Sequence, residues 1–420
     1  MRIRELTIKN FRAYAEPPPF RFADRFTVVA GINGRGKTAL LDGLALLCSR
    51  FLPQVSASRG GYRNIYPSEI HLDSPTAELA MKVNCAGIPL EYTLTYTREP
   101  RRIKVTKLPA SVKREVRRAY GDPTRADDAA PLAVYYTTDR AGYRLPRTLP
   151  AAVPLGQAAA YSGALSNRTV NFRDFMARYR TATALQNEEQ GINPSYIGDR
   201  AVAVLAQAVT TFLGGFDHLR VQEQPLRLLV DKAGASLDLS QLSDGERSFL
   251  AMISDLSRRL TLANPLLNNP LHGAGVVLID EIELHLHPKW QREVREKLRR
   301  TFPNIQFIAT SHSPFVLQSL QPGELINLDP DEFGEYAGKS IEDIAENVMG
   351  VELPQKSERY LQMMAAAEAY FRLLREPNPS ADAVTAAEQR LNELSEPFSD
   401  DPAFQSLLKL ERERQRGGGE

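Results

Sequence analysis

Residues 31–38 read Gly31-Ile-Asn-Gly-Arg-Gly-Lys37-Thr38, a match to the pattern G-x-x-x-x-G-K-[ST]. Glycines let such a loop wrap an anion so that its backbone N–H groups point inward. On this reading Asn33, Gly34, Arg35, Gly36, Lys37, Thr38 and Ala39 line a triphosphate. Lys37 reaches the β- and γ-phosphates, and the Thr38 hydroxyl holds magnesium. The flanks agree. FTVVAG (Phe26 to Gly31) is continuously apolar, as suits a strand buried on both faces, and KTALLDGLALLCSRFL after it has helical spacing.

A phosphate cradle needs a carboxylate for the metal, expected at the C-terminal end of a neighbouring strand. VVLIDE supplies Asp280 to hold magnesium, directly or through water, and Glu281 to polarise the attacking water. The next apolar run, IQFIATSH (Ile305 to His312), places His312 at the end of a strand beside the Asp280 strand. There it either faces the terminal phosphate and senses it by hydrogen bonding or is a satisfied core residue. Lys37, Glu281 and His312 are the catalytic candidates. QLSDGERSFL (241–250) is a polar knot opening a helix, with Ser243, Asp244, Gly245 and Glu246 as cap and first turn. The Ser243 hydroxyl and the N–H groups beside it also form an anion site. If it lies across a nucleotide from its own cradle, it closes instead over the nucleotide of a second copy. ATP would then bridge a homodimer or a higher even-numbered assembly.

The constellation resembles the ABC-type ATPases of the RecF, SMC, Rad50 and OLD group. LSDGER looks like their signature motif, DEIELHLHP like their Walker B and D-loop, and TSHSP like their switch-histidine segment. Asn33 falls in their N-G-x-G-K-T form, and Glu283, His285 and His287 fall in the D-loop at the dimer seam. Two histidines without a third ligand make a poor metal site. SMC and Rad50 proteins insert very long coiled coils between P-loop and signature, which this chain has no room for. OLD nucleases continue into a Toprim domain; Asp329-Pro-Asp331 imitates its acidic pair, but no glycine-flanked glutamate strand precedes it. YYTTDRA, AYSGAL, FLGGFDHLRV and LSDGERSFLAMISDLSRRLTLANP look like the compact bacterial ATPases paired with an HNH nuclease, among them the Septu ATPase PtuA and retron-linked ATPases. The resemblance implies ATP and Mg2+, an HNH nuclease partner, contact with DNA or retron RNA/DNA, and a role in anti-phage defence. A RecF-like repair ATPase and a slow-turnover nucleotide-gated scaffold are the rivals. Gln157 is the nearest candidate for a glutamine loop, and Arg140 is an alternative residue that could approach the nucleotide.

Elsewhere, RIRELTIKNF suits an edge strand, and residues 76–98 an antiparallel hairpin. The basic stretch from Arg98 to Arg118 includes Arg101, Arg102, Lys104, Arg114, Arg117 and Arg118. It is either a nucleic-acid contact or a solvated face without aromatics for stacking. LAVYYTTD, LRVQ, LRLLVD and ELINLD read as further strands, and 171–213 as helical, with Phe172, Phe175, Met176 and Tyr179 on one face. The expected fold class is α/β: an ABC-type P-loop ATPase head with a mixed sheet, an antiparallel β-subdomain, a helical lid and a C-terminal helical extension. The expected head spans 1–335, with its core in 1–150 and 216–335 and a helical insertion at 151–215. The extension spans 336–420, where Tyr360, Leu361, Met364, Tyr370, Phe371 and Leu374 suit either a partner or ordinary packing.

Composition narrows the class. Of 420 residues, 43% are hydrophobic and 25% charged, ordinary values for a folded domain, and a net charge of +1 leaves no global field for nucleic acid. Cys48 and Cys85 alone provide neither a disulfide framework nor the four ligands of a structural zinc. No apolar run approaches the roughly twenty residues of a membrane span, and the N-terminus lacks a signal-peptide core, so a cytoplasmic location is expected.

Overall fold

The computed structural model describes residues 1–58, 63–121, 130–141, 148–149, 156–166, most of 175–183, 200–329, 339–349, 357–375 and 380–396. In chain order the strands are β1 (Arg2–Lys9), β2 (Phe20–Arg21), β3 (Phe26–Ala30), β4 (Thr76–Cys85), β5 (Ile88–Thr97), β6 (Arg102–Val105), β7 (Leu132–Tyr136), β8 (Phe216–Glu223), β9 (Leu226–Lys232), β10 (Ala235–Asp238), β11 (Gly275–Ile279), β12 (Ile305–Thr310) and β13 (Leu325–Asn327). The helices that matter here are α1 (Lys37–Val55), α2 (Ala110–Gly121), α3 (Gln157–Tyr161), α4 (Arg200–Leu213), α5 (Asp244–Ala263), α6 (Pro288–Thr301), α7 (Pro314–Gln318), α8 (Ile341–Met349), α9 (Glu358–Leu374) and α10 (Ala381–Ser395).

Five strands form a parallel sheet in the order β13-β3-β12-β11-β7. Every residue of β3, β7, β11 and β12 is buried, which is why these runs are apolar throughout rather than alternating. The Asp280 strand is not the immediate neighbour of the P-loop strand, contrary to expectation. β12 lies between them, because its register runs against β3 on one side and β11 on the other.

A second sheet, β2-β1-β4-β5-β6, is antiparallel and shows period-two burial, most clearly in β4. The expected hairpin turns at Ala86-Gly87, both in the left-handed region that a tight two-residue turn demands. β1 corrects the edge-strand expectation. It pairs with β4 on one side, and β2 covers the other. Gln306 of β12 ties the two sheets together: it accepts from the Ile3 N–H at 2.7 Å and donates to the Ile3 carbonyl at 2.8 Å. The third sheet, β10-β9-β8, leads the chain into α5.

Contacts divide the chain into residues 1–350 and 351–420. α8 packs on α7 within the first unit. In the second, α9 and α10 bury Met363, Ala367, Tyr370 and Leu391 between themselves, with Tyr360, Phe371 and Leu374 packed around them. Most of the apolar spacing noted in this stretch is therefore used inside the helical pair. Of the 171–213 stretch, Phe175, Met176 and Tyr179 are buried and α4 is helical, while Phe172 lies outside the described residues. No described helix is long and apolar enough to cross a membrane.

Candidate nucleotide site

Each strand of the parallel sheet delivers a functional side chain from its C-terminal end, the edge at which open α/β sheets bind ligands. From β3 comes the glycine loop. Gly31, Gly34 and Gly36 have φ of +146°, +85° and +93°, conformations that other residues rarely adopt. Gly36 also leaves no room for a side chain, because a Cβ there would sit 2.9 Å from the Tyr14 ring, whose hydroxyl donates to the Gly36 carbonyl at 3.2 Å. Asn33, Gly34 and Arg35 are exposed along the loop rim, whereas Lys37 and Ala39 are buried. Lys37 Nζ donates to the Gly31 carbonyl at 2.7 Å and the Ile32 carbonyl at 2.9 Å, closing the loop on itself. Burial pushes the Lys37 ammonium down, against the pull of Asp329, Asp280, Glu281 and Glu283.

The other strands converge on it. Thr38 Oγ1 donates to the Asp280 carboxylate, 3.1 Å from Oδ2, and Thr310 Oγ1 donates to Asp280 Oδ1 at 2.6 Å. Asp280 is 5% exposed. Hydroxyl and carboxylate oxygens suit Mg2+, and no group of three His, Cys, Asp or Glu gathers as a metal site among the described residues. A magnesium ion here would draw its remaining ligands from phosphate and water, its usual habit. Glu281 has φ of +47°, a left-handed conformation unusual for glutamate, and its N–H donates to Thr310 Oγ1 at 2.7 Å. The His312 N–H donates to Glu283 Oε1. Burial and then Lys37 lower the His312 pKa, outweighing Glu283, Glu281 and Asp280, which favours the neutral imidazole.

The signature knot stands apart. Ser243 caps α5 in a capping box with Glu246: its hydroxyl accepts from the Glu246 N–H at 3.4 Å, and its own N–H donates to Glu246 Oε2 at 3.1 Å. Lys232 of β9 holds the other Glu246 oxygen at 2.5 Å, and Asp244 pairs with Arg247. No hydrogen bond joins Ser243 to the glycine loop among the described residues. Gly245 instead abuts the D-loop, since a Cβ there would lie 2.4 Å from the His285 carbonyl oxygen. His287 caps α6, its Nδ1 accepting from the Lys289 N–H at 3.3 Å.

Two residues read differently from sequence turn out to brace the site. Asp329, noted only as half of an acidic pair, ends β13 and clamps the glycine loop. Its Oδ2 accepts from the Ile32 N–H at 2.7 Å, and its Oδ1 forms an ion pair with Arg35 Nε at 2.7 Å. Asp331 lies outside the described residues. Arg140 does not reach toward the nucleotide. It is 1% exposed, and its guanidinium donates to the carbonyls of Asp280 and Glu281. Gln157 is likewise no glutamine loop here; its amide donates to the Ala263 carbonyl at 3.0 Å, at the far end of α5 from Ser243. Tyr14 had no sequence signal beyond its place after β1. The basic stretch forms β6 and α2, with Arg101, Arg102, Lys104, Arg114, Arg117 and Arg118 exposed and Val116 and Tyr120 anchoring α2.

The "Retron Vc95 probable ATPase" of Vibrio cholerae serotype O1 biovar El Tor is 28% identical over 76% of this chain and 72% of its own length. The "Retron Ec83 probable ATPase" of Escherichia coli is 48% identical over 31% of this chain, which spans 24% of that protein. The "Septu protein PtuA" of Bacillus mycoides is 38% identical over 24% of this chain and 14% of that protein. Among solved structures, the SMC head domain from Thermotoga maritima aligns at a TM-score of 0.40 and 15% identity, covering 77% of this chain and 94% of that one. Residues 26–318, from the P-loop strand through the helix after His312, match one family along their length, and the chain belongs to it: "AAA domain, putative AbiEii toxin, Type IV TA system".

Proposed function

We propose that the chain is the ATP-binding and ATP-hydrolysing subunit of a bacterial anti-phage defence complex, working in the cytoplasm as an ATP-bridged homodimer or higher even-numbered assembly. The observation that carries the hydrolytic reading is the direct Thr38–Asp280 hydrogen bond, with Lys37, Glu281 and His312 gathered around it. Lys37, freed from the Gly31 and Ile32 carbonyls, binds the β- and γ-phosphates. Glu281 accepts a proton from the attacking water, and neutral His312 hydrogen-bonds the terminal phosphate. Bound at Thr38 and Asp280, Mg2+ supplies neutralisation of the charge on the phosphates. Ser243 and the N–H groups at the start of α5 cap that phosphate from a second copy, a reading supported by the exposure of Ser243 and Asp244 on the chain that carries them.

Glu281→Gln tests the chemistry. Turnover should fall by about 10²- to 10³-fold while nucleotide still binds, because a positioned base contributes on that scale. Equal phosphate release from both proteins would remove Glu281 as base.

The defence role rests on the names of the retron and Septu relatives, and the HNH nuclease partner on the resemblance of the signature region to their kind. The exposed β6–α2 arm is the candidate contact for DNA or retron RNA/DNA. Reversing Arg101, Arg102, Arg117 and Arg118 to glutamate should weaken DNA binding and flatten its salt dependence by up to about four ion-release equivalents. Unchanged affinity and salt slope would dispose of that contact.

A further inference from the structure

A fully buried cation is costly unless something specific holds it, and Arg140 is held in an unusual way. It leaves the end of β7 in the short turn Thr138–Ala141. It forms no ion pair with a described carboxylate. Its Nη1 donates to the carbonyls of Thr137, at 3.2 Å, and Asp280, and its Nη2 donates to the carbonyl of Glu281 at 2.5 Å. Both Walker B carbonyls are therefore fixed by one guanidinium. The consequence falls on Glu281, whose backbone is left-handed at φ +47°. An L-residue held there is strained, so something must over-determine it. Four contacts do: Arg140 and, at 2.9 Å, the Leu284 N–H on the Glu281 carbonyl, Thr310 Oγ1 on its N–H, and the Ile282 N–H on the Thr310 carbonyl at 3.0 Å. Thr310 of β12 holds the N–H groups of Glu281 and Ile282 from one side and Arg140 holds the carbonyls from the β7 side, so the turn carrying the carboxylate is gripped from both neighbours of β11.

We propose that Arg140 is the positioning residue of the hydrolytic base: by bonding the carbonyls of Asp280 and Glu281 it holds the left-handed turn that aims the Glu281 carboxylate at the terminal phosphate. The proposal rests on Glu281 acting as base. It assigns Arg140 no contact with nucleotide and predicts a selective loss of rate. Arginine suits the task better than lysine because its planar fork reaches two carbonyls at once and stays charged when buried.

The test compares Arg140→Gln, Arg140→Lys, Glu281→Gln and the Arg140→Gln/Glu281→Gln double variant in the full chain. It reads steady-state ATP turnover, affinity for a non-hydrolysable ATP analogue, and melting temperature. Arg140→Gln should lower kcat by about 10- to 100-fold with analogue affinity changed less than about threefold, a split expected when only transition-state alignment is lost. Arg140→Lys should recover part of that rate. In the Glu281→Gln background, removing Arg140 should lower residual turnover no further, because a residue acting through Glu281 has nothing left to act through. Parallel losses of affinity and turnover in Arg140→Gln, an additive double variant, or wild-type turnover in Arg140→Gln would overturn the proposal. If Arg140→Gln does not fold, Arg140→Lys carries the same comparison. Full turnover in Glu281→Gln would instead strike at the base assignment itself.

Discussion

The cradle around Lys37 and the knot at Ser243 are both loops feeding a helix N-terminus, yet their polar groups are satisfied in opposite ways. In the cradle nearly everything is interlocked across the sheet: Lys37 is 7% exposed, Asp280 is shared by Thr38 and Thr310, and Asp329 clamps the loop from β13. In the knot, Ser243 and Asp244 are exposed, and among the described residues their side chains bond Glu246 and Arg247 a few positions away. A local capping box contributes about 1 kcal/mol, little enough to be exchanged for a charged phosphate. The cradle is prepared within one chain, whereas the knot has donors to offer elsewhere.

The strongest way to break this comparison is complementation. Lys37→Ala and Ser243→Arg should each lower turnover by about 100-fold or more, since each removes or blocks stabilisation of the terminal phosphate. Mixed in equal amounts, they should recover roughly a quarter of wild-type turnover, because half of randomly paired two-fold dimers hold one intact site of two. A mixture as inactive as its parents would place both residues at one chain's own nucleotide.

A smaller effect tests how the knot is tied to the sheet. Asp255, on α5, is buried; burial pushes its carboxyl up, but Arg259 and then Arg258 outweigh this and hold it at about 2. Tyr136, at the end of β7, donates to it at 3.0 Å. Asp255→Asn should destabilise the fold by about 3–5 kcal/mol at pH 7, the cost of leaving a buried partner charge unpaired. Because the folded pKa lies below the unfolded value of about 3.9, that contribution is complete above the unfolded value and is lost as pH falls toward 2. Denaturant titrations should therefore show the wild-type advantage at pH 7 and its narrowing near pH 3. An equal gap at both would argue against an ionised Asp255.

Smallest is Gly245→Ala. A methyl group there meets the His285 carbonyl, and overpacking of this kind costs about 1–3 kcal/mol. A lower melting temperature without nucleotide would show that Gly245 serves the D-loop contact within its own chain. An unchanged one would leave its value to the second copy alone.

Much of the site is legible in one dimension because its pieces are local. G-x-x-x-x-G-K-T after an apolar run specifies strand, loop and helix within a dozen or so residues, a unit whose physics does not depend on the rest of the chain. The same holds for VVLIDE and for Ser243-Asp244-Gly245-Glu246 as a helix start, which the structure realises as a capping box. The β4–β5 hairpin follows from alternation around a glycine turn.

Other features had no local signature. That β12 intervenes between β3 and β11 depends on its pairing with β3, whose residues stand 281 positions earlier, as Phe26 does from Phe307. Tyr14 against Gly36 and Arg140 against the carbonyls of Asp280 and Glu281 depend on where β1 and β7 fall in their sheets. Asp329 looked like a metal-binding remnant because its spacing to Asp331 was visible and its distance to Ile32 was not.

The phosphate-loop pattern and the strand–loop–helix units that carry it can be read along the chain, since backbone conformation at glycine and the period of apolar residues are set by near neighbours. Which distant side chains brace those units emerges only on folding. Strand order and the direction of a buried side chain are settled by the packing of the whole sheet, and no short stretch of residues encodes that.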